Sequence, residues 1–323
     1  MREINVSTNE AGQRLDKLLR KYLKNANTSF IYKMLRKKNI VLNDKKAEGK
    51  EILNLGDSVK MYFSEETFAT MTGKKGEEKK KFDIDGFRKH IVYEDENLLV
   101  LNKPSGWLSQ SDGSGVPSVN ELCLQYLMAT GALTETQLQT FKPGIANRLD
   151  RNTSGLILFG KTLPALQALA ALLRDRTMEK YYLAIVCGDI DHAQRIDGYL
   201  AKDEGTNRVE IRPQPFPDAV EIHTGYEPLK RSASYTVLKV HLITGKTHQI
   251  RAHLRAIGHP IIGDPKYGRK DANAYYRTHG GVKSQLLHAW ELHFPETLDG
   301  PLRNLAGRTL TAEPPKEFHP FLK

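Results

Sequence analysis

Asp150 stands in the stretch Asn147-Arg-Leu-Asp-Arg-Asn-Thr-Ser-Gly155, which runs straight into the apolar Leu156-Ile-Leu-Phe159. A carboxylate between Arg148 and Arg151 sits beside positive charge, which favours its ionised form, and an ionised Asp can act as a nucleophile or a base. The four apolar residues have the character of a buried strand, and the polar residues before them suit an irregular loop. The pattern therefore predicts Asp150 at a strand mouth. A lone loop aspartate more often caps backbone amides or pairs with an arginine, and composition alone does not overturn that reading.

Two other patterns compete for attention. Gly155, Gly160, Lys161 and Thr162 satisfy the phosphate-loop pattern Gly-x-x-x-x-Gly-Lys-Thr letter for letter. The residues between the glycines are Leu, Ile, Leu and Phe, which prefer extended, buried backbone to a loop curled round phosphates, so we read the match as coincidence. His248 and His253 lie five residues apart, do not share a helix face and lack the glutamate of a zinc-protease helix. No metal site is expected.

The elements that must position such residues lie in a chain of 323 residues, long enough for about two domains. A net charge of +10 and a pI near 9.3 point to a polyanionic partner, nucleic acid before membrane, because no amphipathic or lipidation signal accompanies the charge. Residues 12–63 hold 13 Lys and Arg against 5 Asp and Glu, so one small segment carries most of the excess. Cys123 and Cys187 lie far apart in apolar segments and read as buried thiols. With no hydrophobic signal core and no apolar run long enough to span a bilayer, a cytoplasmic protein is expected, and a monomer.

Gln13–Lys24 predicts a helix with Leu15, Leu18, Leu19 and Tyr22 inward and Arg14, Lys17, Lys21 and Lys24 outward. Asn27, Thr28 and Ser29 offer N-caps for a second helix, where Lys33, Arg36 and Lys37, followed by Lys38, form a basic ridge opposite Ile31, Met34 and Leu35. By itself such a ridge is as well explained by a solvated surface. Strands are expected near Ile40–Leu42 and Val59–Met61. From Ser64 to Lys81 the apolar pattern lapses and charge alternates in blocks, which reads as a linker. Beyond it, Ile91–Pro104 reads as strand, turn and strand, Val119–Leu127 as a helix, and Leu163–Arg174 as a helix capped by Thr162. Lys180–Gly188 reads as a central strand with Tyr182, Ala184 and Val186 on one face. Tyr235–Ile243 and Gln285–Phe294 read as strands. Gln249–Ala256 reads as a short helix with Ile250, Leu254 and Ile257 inward and His248, Arg251 and Arg255 on another side.

Arg148, Leu149, Asp150, Thr153, Ser154, Gly155 and Leu156 resemble the signature His-Arg-Leu-Asp-x-x-Thr-Ser-Gly-Leu of the RluA-type pseudouridine synthases, with Asn147 where the family often has His. Lys180, Tyr182 and Ala184 are similar to its Lys-x-Tyr-x-Ala. Gly245-Lys-Thr-His-Gln-Ile-Arg251 is similar to its Gly-Arg-Thr-His-Gln-Ile-Arg, with Lys246 keeping charge but losing the planar fork. Ile91–Pro104 and Gly258–Gly268 resemble further family segments. Residues 12–63 resemble the S4 RNA-binding domain through Arg14-Leu-Asp16, Leu35-Arg-Lys-Lys38, Val41-Leu-Asn43 and Leu55-Gly-Asp-Ser-Val59.

The resemblance implies an α+β chain. An S4-like module at 12–63, a linker at 64–82 and a catalytic domain at 83–323, built on a mixed, largely antiparallel sheet, are expected. It implies isomerisation of uridine to pseudouridine in structured RNA, most naturally 23S ribosomal RNA, the target of S4-bearing relatives of the RluC and RluD type. Asp150 would attack C1′ of the ribose or remove a proton from C2′, both routes staying open. Arg251 would pair with it, and Tyr182 would stack on the detached base. No cofactor is needed for a step without redox or phosphate transfer. Arg14, Lys33, Arg36, Lys37, Lys38, Arg148, His248 and Arg255 are the expected RNA-binding residues. A non-catalytic RNA-binding or ribosome-assembly protein on the same fold is the competing reading, with an NTP-driven enzyme using Lys161 behind it.

Overall fold

The computed structural model describes residues 1–72, 82–203, 205 and 208–323. In chain order its elements begin with β1 (Arg2–Asn5), α1 (Leu15–Tyr22), α2 (Thr28–Arg36), β2 (Ile40–Leu42), β3 (Lys45–Lys46), β4 (Ser58–Met61), α3 (Glu65–Thr72) and α4 (Ile84–Arg88). The middle of the chain forms β5 (Ile91–Glu94), β6 (Leu98–Lys103), α5 (Val119–Ala129), α6 (Glu135–Thr140), β7 (Gly144–Ile145), β8 (Ser154–Gly160), α7 (Leu163–Asp175) and β9 (Glu179–Cys187). There follow β10 (Gln194–Asp203), β11 (Arg208–Arg212), β12 (Val220–Arg231), β13 (Tyr235–Leu242), α8 (Gln249–Ala256), α9 (Lys270–Gly280), β14 (Leu287–His293), β15 (Thr309–Thr311) and α10 (His319–Leu322). None of the described helices is long and apolar enough to cross a membrane.

The chain makes two compact units. One comprises Met1–Phe87, Cys123–Gly144 and Gly160–Gln167, and the other Arg88–Leu122, Ile145–Phe159 and Ala168–Lys323. In the first, the sheet order is β1-β4-β2-β3. Leu15, Leu18, Leu19 and Tyr22 of α1 and Ile31, Met34 and Leu35 of α2 are buried together, as their helical spacing predicts. Asn27 caps α2 by accepting from the Phe30 amide at 2.8 Å.

This unit reaches beyond 12–63 in three ways. β1 pairs with β4. α6, carrying a capping box at Thr134 and Gln137, packs on α1, and the Thr140 hydroxyl donates to Glu10 at 2.6 Å. The third addition corrects an expectation. Where the sequence reads as linker, Glu65–Thr72 is a helix, because Phe68 is wholly buried against Phe63, ring centroids 5.2 Å apart, with the Arg2 guanidinium over it at 4.3 Å. Asn25 also serves its end, donating its amide N–H to Met71 O and its side chain to Thr70 O, both at 2.9 Å. The rest of the expected linker, 73–81, lies outside the described residues.

The second unit is organised by a large sheet in the order β11-β10-β12-β13-β9-β14-β8-β6-β5, with β15 on β14 and β7 on β8. β10 to β13 and β9 pair antiparallel, whereas β8 and β14 run parallel. The fold is thus mixed α/β with a mostly antiparallel sheet. β8 is buried at every residue, so Gly155 to Gly160 form a strand and not a phosphate-binding loop. Gly155 adopts φ +109° opposite Ala289, and a Cβ there would fall inside the radius of the Ala289 carbonyl oxygen. Both the backbone and the space exclude a side chain, so Gly155→Ala is expected to cost about 2–4 kcal/mol. Thermal unfolding measures it, and an unchanged melting temperature would contradict the close approach.

Candidate active site

Four segments of the second unit meet at one cleft of about 1110 Å³. It lies just above the ~300–1,000 Å³ range of small-molecule sites. The first segment is the loop before β8. Ser109 clamps it at both backbone polar groups of one residue, accepting from the Leu149 amide at 3.0 Å and donating to the Leu149 carbonyl at 2.7 Å. Asn147 spends its side chain on β8, donating to Leu156 O at 3.2 Å and accepting from the Leu158 amide at 2.8 Å. The unusual asparagine therefore serves as an extra rung of the strand. Asp150, at the tip, keeps a side chain 29% exposed in the cleft.

Below the loop exit, Lys103 is completely buried, and its ammonium donates to the carbonyls of Pro104, Trp107 and Arg151 at 2.9, 3.0 and 3.0 Å. Burial pushes its pKa down to about 7, with the Asp150 charge opposing. Three carbonyls need three protons, which only the ammonium supplies. Lys103 thus ties the residue after Asp150 to the end of β6.

β9 supplies Tyr182. The residue sits on the central strand of the sheet, in register with Val240 of β13 and Ala289 of β14, and is 8% exposed. Burial, then the charge of Asp150, raises the phenol's pKa, so it stays protonated at neutral pH.

The third segment is the turn into α8. His248 is left-handed at φ 54°, and the neighbouring Gln249 ties down the turn before the helix, its oxygen accepting from the Lys246 amide at 3.1 Å and the Thr244 hydroxyl at 2.9 Å. α8 is buried from Gln249 through Leu254, so the amphipathic face expected from the sequence is absent and Arg251 points inward, 4% exposed. Its Nη1 donates to Asp150 Oδ2 at 2.7 Å. The fourth segment explains how a guanidinium survives there. Asp264, in the loop after α8, accepts from Arg251 Nε at 2.7 Å and Nη2 at 2.9 Å. The amides of Lys266 and Tyr267 in turn donate to Asp264 at 2.8 and 3.0 Å. Burial opposes the Arg251 charge, but Asp264 and then Asp150 raise its pKa further still. The fork is bidentate to Asp264, which leaves Nη1 for Asp150.

The arrangement can present one carboxylate at fixed orientation in a cleft that an aromatic ring also lines, beside buried positive charge. The model of the family described as RNA pseudouridylate synthase matches residues 97–256. Ribosomal large subunit pseudouridine synthase C of Vibrio cholerae is 33% identical over 296 residues, 90% of this chain and 88% of that protein. The chain belongs to the RNA pseudouridylate synthase family. The synthase is also 32% identical to ribosomal large subunit pseudouridine synthase C of Salmonella typhimurium over 323 residues, 94% of each chain. The solved structure of human RNA pseudouridylate synthase domain containing 4, 21% identical, covers 73% of this chain and 94% of its own at a TM-score of 0.56, and shares the fold. As a member of this family the synthase is an isomerase that turns uridine into pseudouridine.

The structure brings Asp150, Tyr182, Arg251, Arg148 and His248 to one cleft. Arg255 stands outside its lining and holds the Tyr267 carbonyl at 2.9 Å. Lys33, Arg36, Lys37 and Lys38 are exposed in the other unit, whereas Arg14 is engaged with the buried Asp16 at 3.0 Å. Sequence reading missed Asp264, Tyr267, Ser109 and Lys103. The first two lie in Gly258–Gly268 and Lys103 in Ile91–Pro104, stretches whose family likeness was visible without any hint of which side chain mattered.

Proposed function

We propose that the synthase isomerises uridines of the large ribosomal RNA, 23S in kind, with Asp150 as the catalytic carboxylate. The observation that carries the reading is the 2.7 Å contact between Asp150 and Arg251 in the cleft that Tyr182 lines. Asp150 attacks C1′, or takes a proton from C2′, as uracil leaves. Arg251 aims the carboxylate, Tyr182 supports the loose base, and its hydroxyl assists proton transfer from C5. Arg148, exposed at the rim, meets the phosphate backbone. The ribosomal target is supported by the names of the relatives, which act on the large subunit. Comparing pseudouridine maps of cellular RNA with and without the protein tests it. Loss of specific 23S sites is expected, and loss confined to transfer RNA would overturn the target.

Residues 12–63 act in this reading as an S4-type RNA-binding module of a cytoplasmic, monomeric enzyme. The exposed ridge Lys33, Arg36, Lys37 and Lys38 supports it. Replacing all four by Gln is expected to lower the slope of log affinity against log salt by about 3, four phosphate contacts at roughly 0.7–0.9 each. Single-turnover rates at saturating RNA should stay unchanged. Filter binding between low and high salt measures the slope, and equal slopes would remove the ridge from the interface.

A further inference from the structure

Behind His248 runs a chain of hydrogen bonds that can set where its proton sits. Tyr267 is buried, and its phenol oxygen accepts the Val209 amide proton at 3.0 Å while facing His248 Nδ1 at 3.0 Å. Burial raises the phenol's pKa, so the oxygen keeps its proton. With the Val209 amide on its acceptor side, the phenol's single proton can go to Nδ1. An imidazole that accepts at Nδ1 is protonated at Nε2. Burial first, with Arg251 adding to it and Asp150 opposing, lowers the His248 pKa and favours this neutral form. Nε2 stands 3.8 Å from Asp150 Oδ2, too far for a hydrogen bond, and both residues line the cleft. Nε2 and the carboxylate thus stand side by side in one cleft. The left-handed backbone at φ 54° is an uncommon cost for a non-glycine residue, borne at the point that aims this ring.

We propose that His248, fixed by Tyr267 as the Nε2–H tautomer, donates a hydrogen bond to O2 of the departing uracil. The inference rests on the reading of Asp150 as the catalytic carboxylate. As the C1′–N1 bond breaks, its electron pair passes to N1 and spreads onto O2 and O4, while Asp150 either gives a pair to C1′ or takes the C2′ proton. His248 transfers no proton. It stabilises the charge while the base is free. As C5 bonds to C1′, the Asp150–C1′ bond breaks, or Asp150 returns the C2′ proton; the C5 proton passes to solvent with the Tyr182 hydroxyl assisting, N1 takes a proton from solvent, and His248 releases O2.

Leaving-group chemistry tests this. His248→Asn suits a left-handed position, yet its short amide cannot span the gap. Single-turnover loss of the N-glycoside is measured on RNA carrying uridine or 5-fluorouridine, whose base leaves as a better-stabilised anion. The uridine rate is expected to fall on the order of 10²-fold and the 5-fluorouridine rate by roughly a tenth of that factor, with RNA affinity held. His248→Gln, whose amide reaches further, should recover part of the uridine rate. Equal losses on both substrates, or no loss, would overturn the proposal. If His248→Asn fails to fold, Tyr267→Phe removes the proton that sets the tautomer and must show the same unequal losses. A wild-type protein that cleaves neither substrate would instead defeat the reading of the site.

Discussion

Asp150→Asn is expected to abolish turnover while leaving RNA capture intact. The amide is nearly isosteric but can neither attack a carbon nor take a proton, and losing the nucleophile or base of such a unit typically costs on the order of 10⁴-fold or more in rate. The fold should tolerate it. Arg251 keeps its two bonds to Asp264, so no buried cation is left without a carboxylate, and Asp150 is the most exposed member of the triad. Affinity should stay within about threefold, because phosphate contacts dominate binding to RNA. Tritium release from C5-labelled RNA, paired with a binding assay, reads both quantities. Turnover retained at even a hundredth of wild type would move the chemistry to another residue.

Arg251→Met separates stability from catalysis. It leaves Asp264, side chain 1% exposed, as a buried carboxylate without its cation, at a cost of about 3–5 kcal/mol. The double variant Arg251→Met, Asp264→Leu removes both charges and should recover much of that stability. Its kcat should stay depressed by roughly 10²–10³, because Asp150 has lost the group that aims it. Denaturant unfolding and steady-state kinetics on the same samples decide the matter, and a double variant with wild-type kcat would make the triad purely structural. The pH dependence follows from the same pair. Burial opposes the Asp264 charge, but the hydrogen bonds and charge of Arg251 outweigh it and lower its folded pKa below the ordinary value. Its contribution to stability is therefore whole above the unfolded pKa of about 3.9 and is lost as pH falls through the folded one. Wild type should weaken below about pH 4 more steeply than the double variant.

Elements with strong local patterns lay where the sequence placed them. β8, β9, β13 and α8 agree with their expected spans to within two residues, because an apolar run or a clean periodicity is a property of neighbours in the chain. α3 escaped detection because one phenylalanine anchors it, packed against Phe63 just before the helix and against Arg2 at the far end of the unit's sequence. A short helix held mainly by such contacts leaves almost no periodic trace. α6 escaped for a related reason, since its packing on α1 joins segments more than a hundred residues apart.

For the site, the sequence by itself determined which carboxylate stands at a strand mouth among polar residues, and its likeness to known synthases picked out Asp150, Tyr182 and Arg251. Only the tertiary structure decided that Arg251 turns inward, that Asp264 holds it there, and that Tyr267 and Val209 orient His248. The reason is physical. Local pattern reports the environment a residue's neighbours create, whereas the partner of a buried charge is whichever group folding delivers within about 3 Å, and that distance is set by the sheet.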